Sequence, residues 1–191
     1  TDANVVVEGR TPVGREGTWL VSARRTYYDL VAGPLVGQDF PSFADLQVRT
    51  GWQLGTGHQL TLTGLGSTES ADLDFGDGVG DSDQRAALGS DITNGLASAR
   101  FDAVLGSSGT STTIVSWYRN NERIDFDGLL ENGARSNARD DVGAFGLSTI
   151  VFDRLISVKD LSLRQDVGYR VSPRHLVSVG VELHRLDTNV G

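Results

Sequence analysis

The sequence predicts an all-β protein, an antiparallel up-and-down meander forming part of a transmembrane β-barrel. Three observations carry that expectation: apolar and polar residues alternate with a period of two, the alternating runs are long, and short turns alternate with longer connections. Residues 160–186, DLSLRQDVGYRVSPRHLVSVGVELHRL, show the rhythm. Odd positions hold Leu161, Leu163, Val167, Tyr169, Val171, Val177, Val179, Val181 and Leu183, interrupted by Gln165 and His175. Even positions hold Asp160, Ser162, Arg164, Asp166, Arg170, Ser178, Glu182 and His184. Successive side chains of a strand leave on opposite faces, so each arm has one apolar and one polar face. In a soluble sheet the apolar face meets a core; in a membrane barrel it meets lipid while the charged face looks inward.

Strands are expected at 3–9, 18–32, 42–54, 58–73, 92–105, 110–125, 155–171 and 176–187. In the second, Trp19, Val21 and Ala23 form one face, but Arg25 falls in the same series and the later apolar residues Tyr28 and Leu30 are even-numbered. A bulge near Arg24-Arg25 is expected to shift the parity. The third and fourth form a hairpin with Ala44, Leu46, Val48, Trp52, Leu60 and Leu62 on one face. Keeping both arms apolar on that face requires a loop of odd length, supplied by Gly55-Thr56-Gly57. The fifth shows Ala97, Ala99, Phe101, Ala103 and Leu105 on one face. A loop at Ser107–Gly109 then brings Thr113, Val115 and Trp117 to the same side of the sixth, although Ile114 and Tyr118 have the other parity. Between the last two strands the expected loop is Pro173-Arg174-His175, pairing Ser172 with Leu176. Residues 141–154 extend the seventh strand or form an extra one.

Many of these runs reach about 13 residues, against a usual strand of about 5–6 and a membrane-crossing strand of about 9–11. Connections near 10–17, 55–57, 107–109 and 173–175 are short, and those near 33–41, 74–91 and 126–154 are longer. That alternation matches barrels with tight turns at one rim and long loops at the other.

Composition narrows the chemistry. The chain has 191 residues, a formal charge of −8, 24 Gly, 4 Pro and neither Cys nor Met. Without Cys there are no disulfides, thiolate nucleophiles or Cys-rich zinc sites. The negative charge argues against nucleic acid, which recruits basic patches. No apolar run is long enough for a transmembrane helix, but barrel strands commit only alternate residues to lipid. With no leader at TDANVVVEGR and an end just past a strand, a piece of something longer is expected.

The segments GTWLVSARRTYYDLVAG (17–33), PSFADLQVRTGWQLGTGHQLTLTGL (41–65) and DLSLRQDVGYRVSPRHLVSVGVELHRLDT (160–188) resemble barrel segments of TonB-dependent outer-membrane receptors. The likeness lies in the RRTYYD run, the PSFAD strand opening, and SPRH leading into an apolar strand that ends HRLDT. The resemblance implies a plugged barrel of about 22 strands in the outer membrane of a Gram-negative-type bacterium. It implies uptake of a scarce nutrient, such as a siderophore, cobalamin or glycan. Its partners would be membrane lipid, lipopolysaccharide, its own plug domain and the TonB complex, the last two through parts outside these residues. With about eight strands, no plug, no TonB-engaging box and no terminal aromatic residue, an internal barrel segment spanning 1–191 is expected.

Candidate residues follow from the polar faces. Arg49, Arg100, Arg164, Asp166, Glu182 and His184, with Asp102 and Arg170, are expected to line the lumen, facing plug, water or cargo. The competing reading is the wet face of a soluble sheet. ESADLDFGDGVGDSD (69–83) offers Glu69, Asp72, Asp74, Asp77, Asp81 and Asp83 as oxygen ligands for Ca²⁺. It lacks the spacing of a calcium-binding helix-loop-helix, so a solvated loop is the simpler reading. His58, His175 and His184 form no HxxxH pair, no Ser sits in GxSxG, and the Gly-rich turns lack the Lys-Ser/Thr of a phosphate loop. Neither catalysis nor a cofactor is expected. Trp19, Trp52, Tyr27, Tyr28, Phe101, Trp117, Tyr118 and Tyr169 are candidates for aromatic girdles or for core. Two other architectures remain open: a complete eight-stranded barrel with a structural or adhesion role, marked by pairing of first and last strands, and a soluble β-sandwich binding module, marked by valine rows in a dry core.

Overall fold

A computed structural model of the chain describes residues 2–12, 16–27, 40–74, 85–132 and 146–191. All its regular structure is strand: β1 (Asp2–Arg10), β2 (Gly17–Thr26), β3 (Ser42–Gln53), β4 (His58–Asp74), β5 (Arg85–Leu105), β6 (Gly109–Asn132), β7 (Gly146–Ser172) and β8 (His175–Val190). Every strand pairs antiparallel with the next in sequence, giving one sheet in the order β1-β2-β3-β4-β5-β6-β7-β8. β1 and β8 are not neighbours, so the sheet is not closed, unlike a complete eight-stranded barrel. No second layer lies over the valine rows among the described residues: Val177, Val179 and Val181 are 52%, 70% and 57% exposed, which removes the sandwich.

Hairpin arithmetic set the register where turns were legible. Leu54 N donates to His58 O at 2.9 Å, so Gly55-Thr56-Gly57 is the expected three-residue loop, with both glycines at positive φ. Trp52 then pairs with Leu60 and Thr50 with Leu62, all on one face. The β5–β6 loop is Gly106-Ser107-Ser108, one residue earlier than expected, with Gly106 at φ +64°. The parity survives: Phe101, Ala99 and Ala97 face Thr113, Val115 and Trp117.

Three expectations are corrected. The β7–β8 turn holds Pro173-Arg174 alone, with His175 already paired to Ser172. A two-residue loop would put apolar side chains on opposite faces. A register shift between Arg170 and Ser172 restores the match, so that Tyr169 meets Val177 and Val167 meets Val179. The bulge belongs here and not at Arg24-Arg25, where pairing with β1 and β3 runs without interruption. β2 simply ends at Thr26, and Tyr28 and Leu30 lie outside the described residues. Finally, β5, β6 and β7 have 21, 24 and 27 residues, far beyond the expected bounds. Much of 85–91, 126–132 and 146–154 is strand, with Phe126 paired to Phe152 and Leu88 to Phe126. Residues 146–154 extend β7; 141–145 lie outside the described residues.

Candidate functional site

The continuous register assigns every strand residue to one of two faces. The band face carries rows of apolar side chains across the sheet; one row is Leu62, Ala99, Val115, Leu163 and Leu183. On β7 this apolar series runs from Tyr169 to Leu161, about the 9–11 residues that a tilted strand needs to cross a bilayer. Trp19, Trp52, Phe101 and Tyr169 lie on the band face toward the short-turn rim, and Trp117 lies on it at the far edge. Tyr118 belongs to the other face, where its hydroxyl donates to Asn94 Oδ1 at 3.1 Å.

Gln165 is the polar residue in the middle of this band, and its amide is satisfied internally. Thr113 Oγ1 donates to Gln165 Oε1 at 2.6 Å, while Gln165 Nε2 donates to Ser111 Oγ at 2.8 Å and to the Asp166 carbonyl at 3.3 Å. A polar group removed from water costs little once paired and much if left unpaired. That pairing explains how Gln165 interrupts the apolar rhythm without breaking the band.

The opposite, ladder face gathers five of the six expected site residues on adjacent strands. Arg100, Ile114, Arg164 and Glu182 form one lateral row, and Asp102, Thr112 and Asp166 the row beside it. Arg100 makes a two-pronged contact with Asp102 (2.7 and 2.9 Å), and Thr112 Oγ1 donates to Asp102 at 2.6 Å. Arg164 Nε donates to Asp166 at 2.7 Å. His184 lies 3.0 Å from Asp160 through Nδ1 and 3.2 Å from Glu182 through Nε2. Ser116 and Ser162 hydroxyls meet at 2.5 Å between these groups. Residues two apart on a strand share a face, which is why Arg-x-Asp becomes a salt bridge here.

Arg49 stands apart on β3 and has no ion pair among the described residues. It lines a cavity of about 550 Å³ on the ladder face with Glu8, Arg10, Leu20, Gln59 and Thr61, so that face is concave between β1 and β4. Nearby, Arg24 pairs with Asp45 at 2.9 Å and stacks over Phe43 at 4.8 Å, an arrangement no sequence period announces. The fitting signal was cross-strand placement: Arg24 is the register partner of Asp45.

The acidic stretch is only partly among the described residues. Asp72 and Asp74 are on β4 and share the band face, whereas Glu69 has the opposite parity. Asp77, Asp81 and Asp83 lie outside the described residues. Among the described residues no group of three His, Asp or Glu side chains is arranged so that it could hold a metal ion. The histidines are likewise separate: His58 stacks on Phe101 at 6.1 Å, and His175 Nδ1 meets Ser172 Oγ at 2.8 Å.

Both faces change character beyond Trp117 and Leu161, in the half of the sheet away from the short turns. The band face becomes polar, with Arg119, Asn121, Arg123, Asp125, Lys159 and Asp153. The ladder face becomes apolar, with Leu88, Phe126 and Phe152 in one row. A strand of β7's 27 residues extends about 90 Å, so it overruns any apolar band of about 25 Å by a wide margin. Along the overrun the band face carries charge.

No protein-family model matches the chain, and no curated protein is similar to it in sequence. Among the solved structures that share its fold are two receptors. The ferric preacinetobactin receptor BauA from Acinetobacter baumannii superposes with a TM-score of 0.50 at 12% identity, over 93% of this chain and 32% of that one. The ferric yersiniabactin uptake receptor FyuA from Yersinia pestis superposes with a TM-score of 0.56 at 10% identity, over 99% of this chain and 33% of that one. The chain thus spans about a third of the length of either. At such identity the likeness shows the fold alone: an all-β antiparallel meander of the outer-membrane barrel type.

Proposed function

We propose that residues 1–191 are a sector of the wall of a TonB-dependent outer-membrane receptor, which takes up a scarce nutrient. The band face contacts acyl chains and the ladder face lines the plugged lumen. One observation carries the reading: an apolar stripe of bilayer height backs directly onto a salt-bridged wall. Lipid tolerates such a sheet only when its edges are paired, so the free edges of β1 and β8 pair with further strands of the same barrel. Within it Arg49, Arg100, Arg164, Asp166, Glu182 and His184 face plug, water or cargo. The self-paired arginines serve chiefly as register-setting wall, and Arg49, without an ion pair, is the better candidate for an anionic group. Siderophore, cobalamin and glycan all suit a wall of mixed charge, and the superposed receptors favour a ferric chelate. The membrane lipid, lipopolysaccharide, plug and TonB complex are its partners.

Because the chain has no Cys, a single introduced thiol reports its surroundings. In the outer membrane, Ser162→Cys should react with a small hydrophilic maleimide and Leu163→Cys only with a lipid-soluble one. Equal reaction of both with the hydrophilic reagent would refute the membrane reading. Uptake of labelled ferric chelates, cobalamin and oligosaccharides, compared between gene-deleted and complemented cells with and without TonB, tests the transport reading. If none of the three changes on deletion, the receptor assignment fails.

A further inference from the structure

At the edge of the apolar band away from the short turns, the register brings together three cations that sequence spacing does not connect. Arg119 on β6 is the direct partner of Lys159 on β7, and Arg185 on β8 is the partner of Leu161, two residues along from Lys159. Direct cross-strand partners have Cβ atoms about 4.5–5.5 Å apart and diagonal neighbours about 7–8 Å, so the three heads span roughly one headgroup. All three side chains are on the band face and exposed. None has an ion pair among the described residues; Arg119 Nε donates to the neutral Asn121 Oδ1 at 3.3 Å. The neighbouring carboxylate is Asp187, the register partner of Lys159; the next on this face, Asp125 and Asp153, lie six residues further along β6 and β7 and are engaged by Arg123.

This differs from the salt-bridged arginines of the sheet. Arg24, Arg100, Arg164 and Arg123 each carry a carboxylate partner at 2.7–2.9 Å. Like charges placed directly opposite on adjacent strands are destabilising, yet Arg119 and Lys159 are so placed. An external anion removes that penalty. One level below Arg119 and Lys159, and level with Arg185, the band face is Trp117 and Leu161, and a membrane's phosphate level lies where its acyl chains end. We propose that Arg119, Lys159 and Arg185 form a docking site for a phosphate-bearing lipid headgroup of the outer leaflet, with its acyl chains along Trp117, Leu161 and Leu163. The inference rests on the lipid-facing reading of the band and adds a chemically specific partner.

The test reconstitutes the intact protein that carries this chain in phosphatidylcholine bilayers containing diphosphorylated lipid A, or its dephosphorylated counterpart. Trp19→Phe and Trp52→Phe leave Trp117 as the only tryptophan of this chain. Each basic residue near an anionic surface contributes roughly a five-fold gain in binding, so Arg119→Gln/Lys159→Gln/Arg185→Gln should weaken retention of diphosphorylated lipid A on the order of 100-fold. Single variants should each show part of the loss. Inorganic phosphate at millimolar concentration should not displace the lipid; displacement would assign the site to free phosphate and overturn the lipid proposal. Wild-type retention that ignores phosphorylation, or a triple variant that retains lipid as well as wild type, also overturns it. Quenching of Trp117 by bromine-labelled acyl chains in wild type and variant separates the two failures: quenching without phosphate preference rejects this site alone, while absent quenching rejects the lipid-facing band itself.

Discussion

Placing Arg at Val115 tests the physical basis of the fold. Val115 is 45% exposed at the centre of the row Leu62, Ala99, Val115, Leu163 and Leu183, with no polar neighbour directly across either adjacent strand. The band-face residue Arg119 lies four positions along β6. At about 3.4 Å per residue that is roughly 13 Å of strand, or about 10 Å of depth at a tilt near 40°. Snorkelling from Val115 to the headgroup level therefore exceeds the reach of an Arg side chain. An Arg at the midplane of a barrel's lipid face costs about 2–4 kcal/mol, falling to about 0–1 near the interface. Val115→Arg should lose about 2–4 kcal/mol, and Asp127→Arg, on the same face well beyond the band, less than about 0.5. The assay is reversible urea unfolding from lipid vesicles, using the intact protein and comparing both variants with wild type. Equal losses at the two positions, or a loss at Val115 below about 1 kcal/mol, would show that no hydrocarbon surrounds this face.

Two further outcomes follow from individual contacts. Thr113→Val leaves Gln165 Oε1 without its 2.6 Å donor inside the band and should cost about 1–3 kcal/mol; Thr113→Val combined with Gln165→Leu should recover most of it, and a strictly additive pair in the same unfolding assay would contradict the pairing. On the ladder face, the double-mutant cycle of Arg100→Ala and Asp102→Ala should give a coupling of about 0.2–1 kcal/mol that weakens in salt, because the two side chains are 52% and 31% exposed. A coupling above about 2 kcal/mol that ignores salt would mean a dry wall instead of an aqueous one.

The strands near the short turns were legible because two independent signals agreed there. The period-two pattern named the faces, and an odd loop such as Gly55-Thr56-Gly57 kept the faces aligned across Leu54 and His58. The far half was misread for a physical reason. Beyond Trp117 the band face is no longer apolar, so Arg119, Asn121 and Arg123 continue the parity of Val115 with inverted chemistry. A reading that follows hydrophobicity alone ends the strand there, although the backbone ladder runs on to Asn132. The bulge beside Val171 was hidden too, since a three-residue loop and a two-residue turn with one extra strand residue preserve the same parity. Among the expected site residues, Arg100 with Asp102 and Arg164 with Asp166 could be read as neighbours from their spacing alone. The contact of His184 with Asp160, 24 residues away in the chain, could not.

Alternation along the chain was enough to specify strands with one apolar and one charged side, because the pleat converts odd and even numbering into two faces wherever the backbone is extended. Lateral neighbourhood is another matter. Which cation lies beside which anion, where Arg119 is left facing Lys159, and how high the apolar band rises all depend on register summed across several strands. A single extra residue at one bulge shifts that sum for every strand beyond it, so these features exist only once the whole sheet has paired.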